Sequence, residues 1–171
     1  MRFEVYYARR TGIEIDSKFL KDNMFEFVLD ELPGRYFILT RNDGSLDFDQ
    51  NSCHYYSKMI GEAVYIGISE NVNSFHYEHW KEDQLLRLLW YNSDYPWHRV
   101  EGTPEEWEKQ VLFTEDGLKL ALKCYDEEFH EKIREAWERK QIRQDDQFPS
   151  INEMDAYNDL ESYLKDSSGT H

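Results

Sequence analysis

Tyr36-Phe37-Ile38-Leu39-Thr40-Arg41-Asn42-Asp43-Gly44-Ser45-Leu46-Asp47-Phe48-Asp49 is the stretch on which the fold is decided. Its first arm, Tyr36–Thr40, is rich in aromatic and branched residues that suit a pleated surface. Asn42-Asp43-Gly44 then supplies residues that tolerate the positive φ of a tight turn. In the return arm Leu46 and Phe48 alternate with Asp47 and Asp49, the period of a half-buried strand. The stretch predicts a β-hairpin, and with it an antiparallel sheet.

Ala63–Ile68 reads as a further meander strand and Ser74–Trp80 as the next. Near the start, Phe3, Val5 and Tyr7 alternate with Arg2, Glu4 and Tyr6, which predicts an opening strand. Between that strand and the hairpin, Asp16-Ser17 caps a helix with Leu20, Met24, Phe27 or Val28, and Leu32 on one side, stopped by Pro33-Gly34. Lys81–Tyr91 reads as a short helix with Leu85, Leu88 and Leu89 as its apolar positions. Thr103-Pro104-Glu105-Glu106 has the composition of a helix start, with Thr103 as the cap. Glu115–Lys140 carries Leu118, Leu122, Tyr125, Phe129, Ile133 and Trp137 at helical spacing, and predicts one long helix.

The class expected is α+β: an antiparallel meander sheet packed on one face by helices, with a long C-terminal amphipathic helix. Residues 1–140 form one domain in this reading and 141–150 a linker. Residues 151–165 form an appended amphipathic helix with Ile151, Met154, Tyr157, Leu160 and Leu164 on one side, and 166–171 a disordered tail. The 171 residues hold 12 Tyr, 10 Phe and 5 Trp, enough to build a core without metals or disulfides.

The net charge is -15, from 35 Asp+Glu against 20 Lys+Arg. Such an excess repels nucleic-acid phosphates and anionic membranes, so direct nucleic-acid binding is not expected. No apolar run is long enough to span a bilayer, and Met1-Arg2-Phe3-Glu4-Val5 lacks the apolar stretch of a secretory signal. Two cysteines, Cys53 and Cys124, make no framework, and a cytoplasmic protein with free thiols is expected. About two-thirds of the negative charge lies after residue 100, on segments that read as helices. A rigid acidic helix suits a basic groove; the simpler reading is a solvated face.

Trp90, Tyr91, Tyr95 and Trp97, flanked by Asp94 and Glu101, are the densest aromatic segment and the candidate anchors for a basic protein partner. Glu127, Glu128, Asp155 and Asp159 supply the electrostatic rim. The competing reading closes the core with the same rings. His76 and His79 share a face if their segment is helical, where a carboxylate would complete a zinc site. On a strand they point apart. Asp43, Asp47 and Asp49 are a second candidate for a divalent cation; the EF-hand pattern fails because His54 stands where its final Glu belongs. No cofactor is expected. No nucleophile elbow, P-loop or dinucleotide fingerprint is present, so a non-enzymatic protein is expected. A small metal-dependent enzyme using His76/His79 or Asp43/Asp47/Asp49 is the alternative.

Helix 16–32, the hairpin arms Arg35–Thr40 and Ser45–Asp49, the strand Val64-Tyr65-Ile66-Gly67-Ile68, and Phe113-Thr114-Glu115-Asp116-Gly117-Leu118 opening a helix together give a recognisable order. Over about residues 1–135 it resembles small immunity proteins of bacterial polymorphic toxin systems. The resemblance implies a meander sheet held between N- and C-terminal helices, no catalysis, and a cognate toxin that is plugged or covered. The helix expected after residue 150 departs from that pattern. An acidic anti-defence inhibitor of a nuclease complex would share the same physics. The expected function is therefore an inhibitory or immunity-type binding protein that occludes a basic toxin, nuclease or nucleic-acid-binding enzyme.

Overall fold

The computed structural model describes residues 2–9, 18, 22, 25–27, 36–41, 52–69, 74–92, 94, 96–146, 158–160 and 162–164. Val64, Ile66 and Ile68 favour extended backbone and lie in β4 (Glu62–Ser69), which pairs along its length with β1 (Arg2–Arg9) and β5 (Ser74–Lys81). With β2 (Phe25–Phe27), β3 (Tyr36–Arg41), β6 (Gln84–Asn92) and β7 (Arg99–Gly102), the described residues form a seven-stranded sheet of order β2-β3-β1-β4-β5-β6-β7. Every pairing is antiparallel, and β4 to β7 form a four-strand meander. Three helices of the C-terminal half, α2 (Glu106–Val111), α3 (Glu115–Cys124) and α4 (His130–Arg139), pack on this sheet, so the chain is α+β.

The hairpin arm Tyr36–Thr40 is a strand, and its described neighbours are β1 and β2. The turn Asn42–Gly44 and return arm Ser45–Asp49 lie outside the described residues, and with them Asp43, Asp47 and Asp49. Of the helix expected over 16–32, Lys18 and Asp22 are helical and ion-paired one turn apart. Phe25–Phe27 instead pairs with Leu39–Arg41 as a strand. A local apolar spacing gives way there to an unfilled sheet edge.

The segment Lys81–Tyr91, expected as a helix, is the end of β5, a turn and β6. Arg87, Leu89 and Tyr91 stand on one side of the sheet and Leu88 and Trp90 on the other, and Leu88, Leu89 and Tyr91 are all buried. Burial on both faces erases the period of two and leaves an i, i+3, i+4 pattern of leucines that imitates a helix. The turn carries no glycine: Glu82 (φ 46) and Asp83 (φ 73) both sit in the left-handed region that a two-residue hairpin requires. Neighbours hold them there. Glu82 N–H donates to Gly61 O at 2.8 Å, and the Asp83 carboxylate takes Lys58 at 3.0 Å and His54.

Lys58 and His54 belong to α1 (Ser52–Ile60), an element the sequence reading lacked. Its His54 ring lies 4.4 Å from Trp80, on the sheet face opposite Phe75 and Tyr77. Helices therefore cover both faces of the meander, α1 on one and α2–α4 on the other. The larger core forms on the second face, where Val64, Ile66, Phe75, Tyr77 and Leu89 meet Trp107, Phe113, Ile133 and Trp137.

The helix expected over 115–140 is two helices. Tyr125 (ψ 150) and Asp126 (ψ 152) are extended and break it, and the 3₁₀ turn Glu127–Phe129 leads into α4. The amphipathic stripe survives because the break lets it fold back on itself. Trp137 Nε1 donates to Thr114 O at 2.8 Å, across a span that a straight helix would stretch to roughly 35 Å. The carbonyl freed at Tyr125 is met by His130 Nε2 at 3.0 Å. Beyond α4, Ile142 is buried and Asp145 N–H donates to Trp97 O at 3.1 Å. Leu160 and Leu164, in the helical residues 158–160 and 162–164, belong to the same core cluster.

The start of α2 also differs. Thr103 N–H still continues the sheet, donating to Leu86 O at 3.0 Å, so the N-cap falls at Glu105 instead. Gly102 (φ 81) makes this exit possible, since a Cβ there would come within 2.0 Å of Leu86 O.

Candidate functional site

β5 alternates two chemistries. Phe75, Tyr77 and His79 face the helical layer, while His76, Glu78 and Trp80 face α1. His76 and His79 therefore diverge and hold no common ion. No cluster of three or more metal-binding side chains occurs among the described residues. His76 is buried, stacked on Trp90 at 5.0 Å with 7° between the rings, and its Nε2 lies 2.8 Å from Glu78 Oε1. Glu78 also accepts from Trp80 Nε1 at 2.7 Å.

The aromatic anchors separate in the same way. Trp97 is 0% and Tyr91 5% exposed, packed on each other at 5.2 Å and on the core, which withdraws both from any docking surface. Trp90 is half-buried, with His76 stacked on it and His98 4.7 Å away. Asp94 and Glu101 are exposed, and Glu101 is paired with Arg99 at 2.6 Å. Glu127, Glu128 and Asp159 are exposed; Tyr95 and Asp155 lie outside the described residues. Tyr91 and Trp97 fall at the end of the meander, where the core must be closed. Aromatic density alone does not separate that role from an interface.

Sequence reasoning missed the most organised chemistry among the described residues, a chain of buried charges joining sheet to helices. His79 Nε2 lies 3.0 Å from Glu62 Oε1 of β4, and its Nδ1 lies 2.5 Å from Glu105 Oε1 at the cap of α2. The other oxygen of Glu105 accepts from Tyr77 OH at 2.6 Å and Trp107 Nε1 at 3.0 Å. Glu105 N–H donates to Glu108 Oε1 at 2.7 Å. Glu108 grips Arg87 of β6 through both oxygens, at 2.8 and 2.7 Å. Arg87 Nη1 reaches the carbonyls of Glu101 and Gly102 at 3.3 Å each. Arg87 is 1% and Glu108 0% exposed.

Burial alone would lower the His79 pKa, but its hydrogen bonds to Glu105 and Glu62 and their charges raise it to about 9. Burial raises the Glu105 carboxyl, and the contacts from His79, Tyr77 and Trp107 outweigh that and leave it below its ordinary value. Burial holds Glu108 above its ordinary value against the opposing pull of Arg87. The sequence points to Thr103 as the cap, and the Glu105–Glu108 pair that forms instead lacks the Ser or Thr that marks one. The partners Glu62, His79 and Arg87 needed the strand register.

Cys53 is buried with Sγ against the carbonyls of Ala63 and Glu78, and burial together with the Glu78 charge pushes its thiol pKa well up. Cys124 is exposed at the end of α3. A cleft of about 330 Å³ lies between α4 and residues 143–146. Its cations Lys132, Arg139 and Arg143 face Glu135, Asp145 and Asp146, and Arg139 is already held by Asp146 at 2.5 Å.

The exposed acids are arranged otherwise. On α2 and α3, Glu106 and Asp116 are each paired with a lysine one turn away. At the corner between α3 and α4, Asp126, Glu127, Glu128 and Glu131 are exposed, and no salt bridge among the described residues engages them. Fold and site together define an antiparallel α+β protein whose helical layer is bound to its sheet by buried charge and presents acids outward. No family model, curated protein or solved structure matches the chain. No helix among the described residues is long and apolar enough to cross a membrane.

Proposed function

We propose that this chain is an acidic protein-binding module of the inhibitory, immunity or anti-defence type, which covers a basic surface of a toxin, nuclease or nucleic-acid-binding enzyme. One observation carries the reading: the corner Asp126-Glu127-Glu128 with Glu131 is exposed and unpaired among the described residues, on a chain of net charge -15. Such a corner costs self-repulsion in the free protein and gains it back against opposite charge. Tyr91 and Trp97 take no part, and the contact is more electrostatic than the aromatic segment alone implies.

Affinity capture from the native host, with wild-type chain and a D126N/E127Q/E128Q/E131Q variant in parallel, tests the proposal. A basic partner retained by the wild type and lost by the variant supports it. Recovery of no basic partner, or equal retention by both proteins, overturns it.

A further inference from the structure

We propose that His79 is a proton-dependent latch between sheet and helical layer: doubly protonated, it donates to Glu62 of β4 and Glu105 of α2 at once, and loss of a proton frees the start of α2.

The geometry leaves little choice. Both ring nitrogens meet carboxylate oxygens, at 3.0 and 2.5 Å. An ionised carboxylate only accepts, and a neutral imidazole has one donor and one acceptor. Deprotonated His79 must therefore set a bare nitrogen against one of its two partners. The side chain is only 13% exposed, so water does not readily relieve that contact.

Among the described residues, charged and titratable groups reach the latch from β4, β5, β6 and the start of α2. Glu62 approaches from β4, with the exposed Lys81 opposite it in register. Tyr77, on the same strand as His79, bonds Glu105. Arg87 stands opposite His79 on β6, but Glu108 and two backbone carbonyls hold it. From α2 and its N-cap come Glu105, Glu108 and the exposed Glu106. Tyr163 responds to both Glu106 and Glu105, which raise its pKa after burial has done so.

Burial alone would lower the pKa of His79, but the two carboxylates raise it to about 9, against 6.5 for the free side chain. A raised pKa contributes stability that is complete below about 6.5 and is lost as pH climbs through about 9. The latch is closed at neutral pH and opens on the alkaline side. Release acts first on Glu105, whose N–H is the next link, to Glu108 and Arg87.

Nuclear magnetic resonance of the full ¹⁵N-labelled chain from pH 6 to 10.5 tests this. The expected result is a His79 ring with both nitrogens protonated at pH 7. His79 and the Trp107 indole N–H, which reads the Glu105 carboxylate, then share a midpoint near pH 9, and α2 amides lose protection over the same interval. In H79Q the Trp107 signal is flat through pH 9. A His79 midpoint near 6.5 overturns the proposal, as do wild-type Trp107 and α2 signals unmoved to pH 10 or a Trp107 transition that persists in H79Q. Should H79Q not fold, the wild-type midpoint decides alone.

Discussion

Two groups of carboxylates in this protein differ in everything but their chemistry. Glu62, Glu105 and Glu108 lie between sheet and helices, each held by His79 or Arg87. Asp126, Glu127, Glu128 and Glu131 stand in solvent at the α3–α4 corner with no salt bridge among the described residues. A buried charge is tolerated only with a partner, whereas an exposed one is tolerated alone because water solvates it. The 35 acidic residues thus include two kinds. One kind is structural and neutralised locally, and the other is open to a second molecule.

Removing one half of the deepest pair, Arg87–Glu108, should have the largest effect on the fold. R87M leaves Glu108 buried without its cation and should destabilise the fold by about 3–5 kcal/mol in urea unfolding. R87M/E108L should cost less than the sum of the two single changes, because no lone charge remains. A loss under about 1 kcal/mol for R87M would remove the pair from its structural role.

H79Q comes next. Converting the rise from 6.5 to about 9 gives a loss on the order of 3 kcal/mol at pH 7. The sign fixes the pH profile: wild-type stability should fall as pH rises from 6.5 through 9, and H79Q should not follow it there. Parallel profiles for the two proteins would show that the two carboxylates are satisfied from elsewhere.

The smallest effect on the fold belongs to the exposed corner. D126N/E127Q/E128Q/E131Q should unfold at the same urea concentration as wild type or slightly higher, since only repulsion is removed. A clear loss of stability would mean that these acids serve the fold after all.

What the sequence disclosed follows the same division. Period-two alternation exposed β1 at Phe3–Tyr7, a branched run exposed β4 and an aromatic one β5, because those signals are local. The strand β6 was hidden by Leu88, Leu89 and Trp90 falling on both faces, and its turn by Glu82 and Asp83 standing where glycine is usual. The break at Tyr125–Asp126 was invisible because the apolar stripe runs through it unchanged; only the Trp137–Thr114 contact requires it. At the candidate site, the exposed acids Glu127 and Glu128 were legible from composition. Tyr91 and Trp97 were not separable from core aromatics. Glu62, His79 and Arg87 come from three strands, and their meeting is a fact of register that no window of sequence contains.

The most direct measurement is the association rate of the captured partner with this chain as salt is raised from about 50 to 500 mM, since exposed charges are screened over about 10 Å at 0.1 M. Wild type should associate at least about tenfold more slowly at high salt, and D126N/E127Q/E128Q/E131Q should start slow and change little. A wild-type rate indifferent to salt, or a variant with the same salt dependence, would contradict the account.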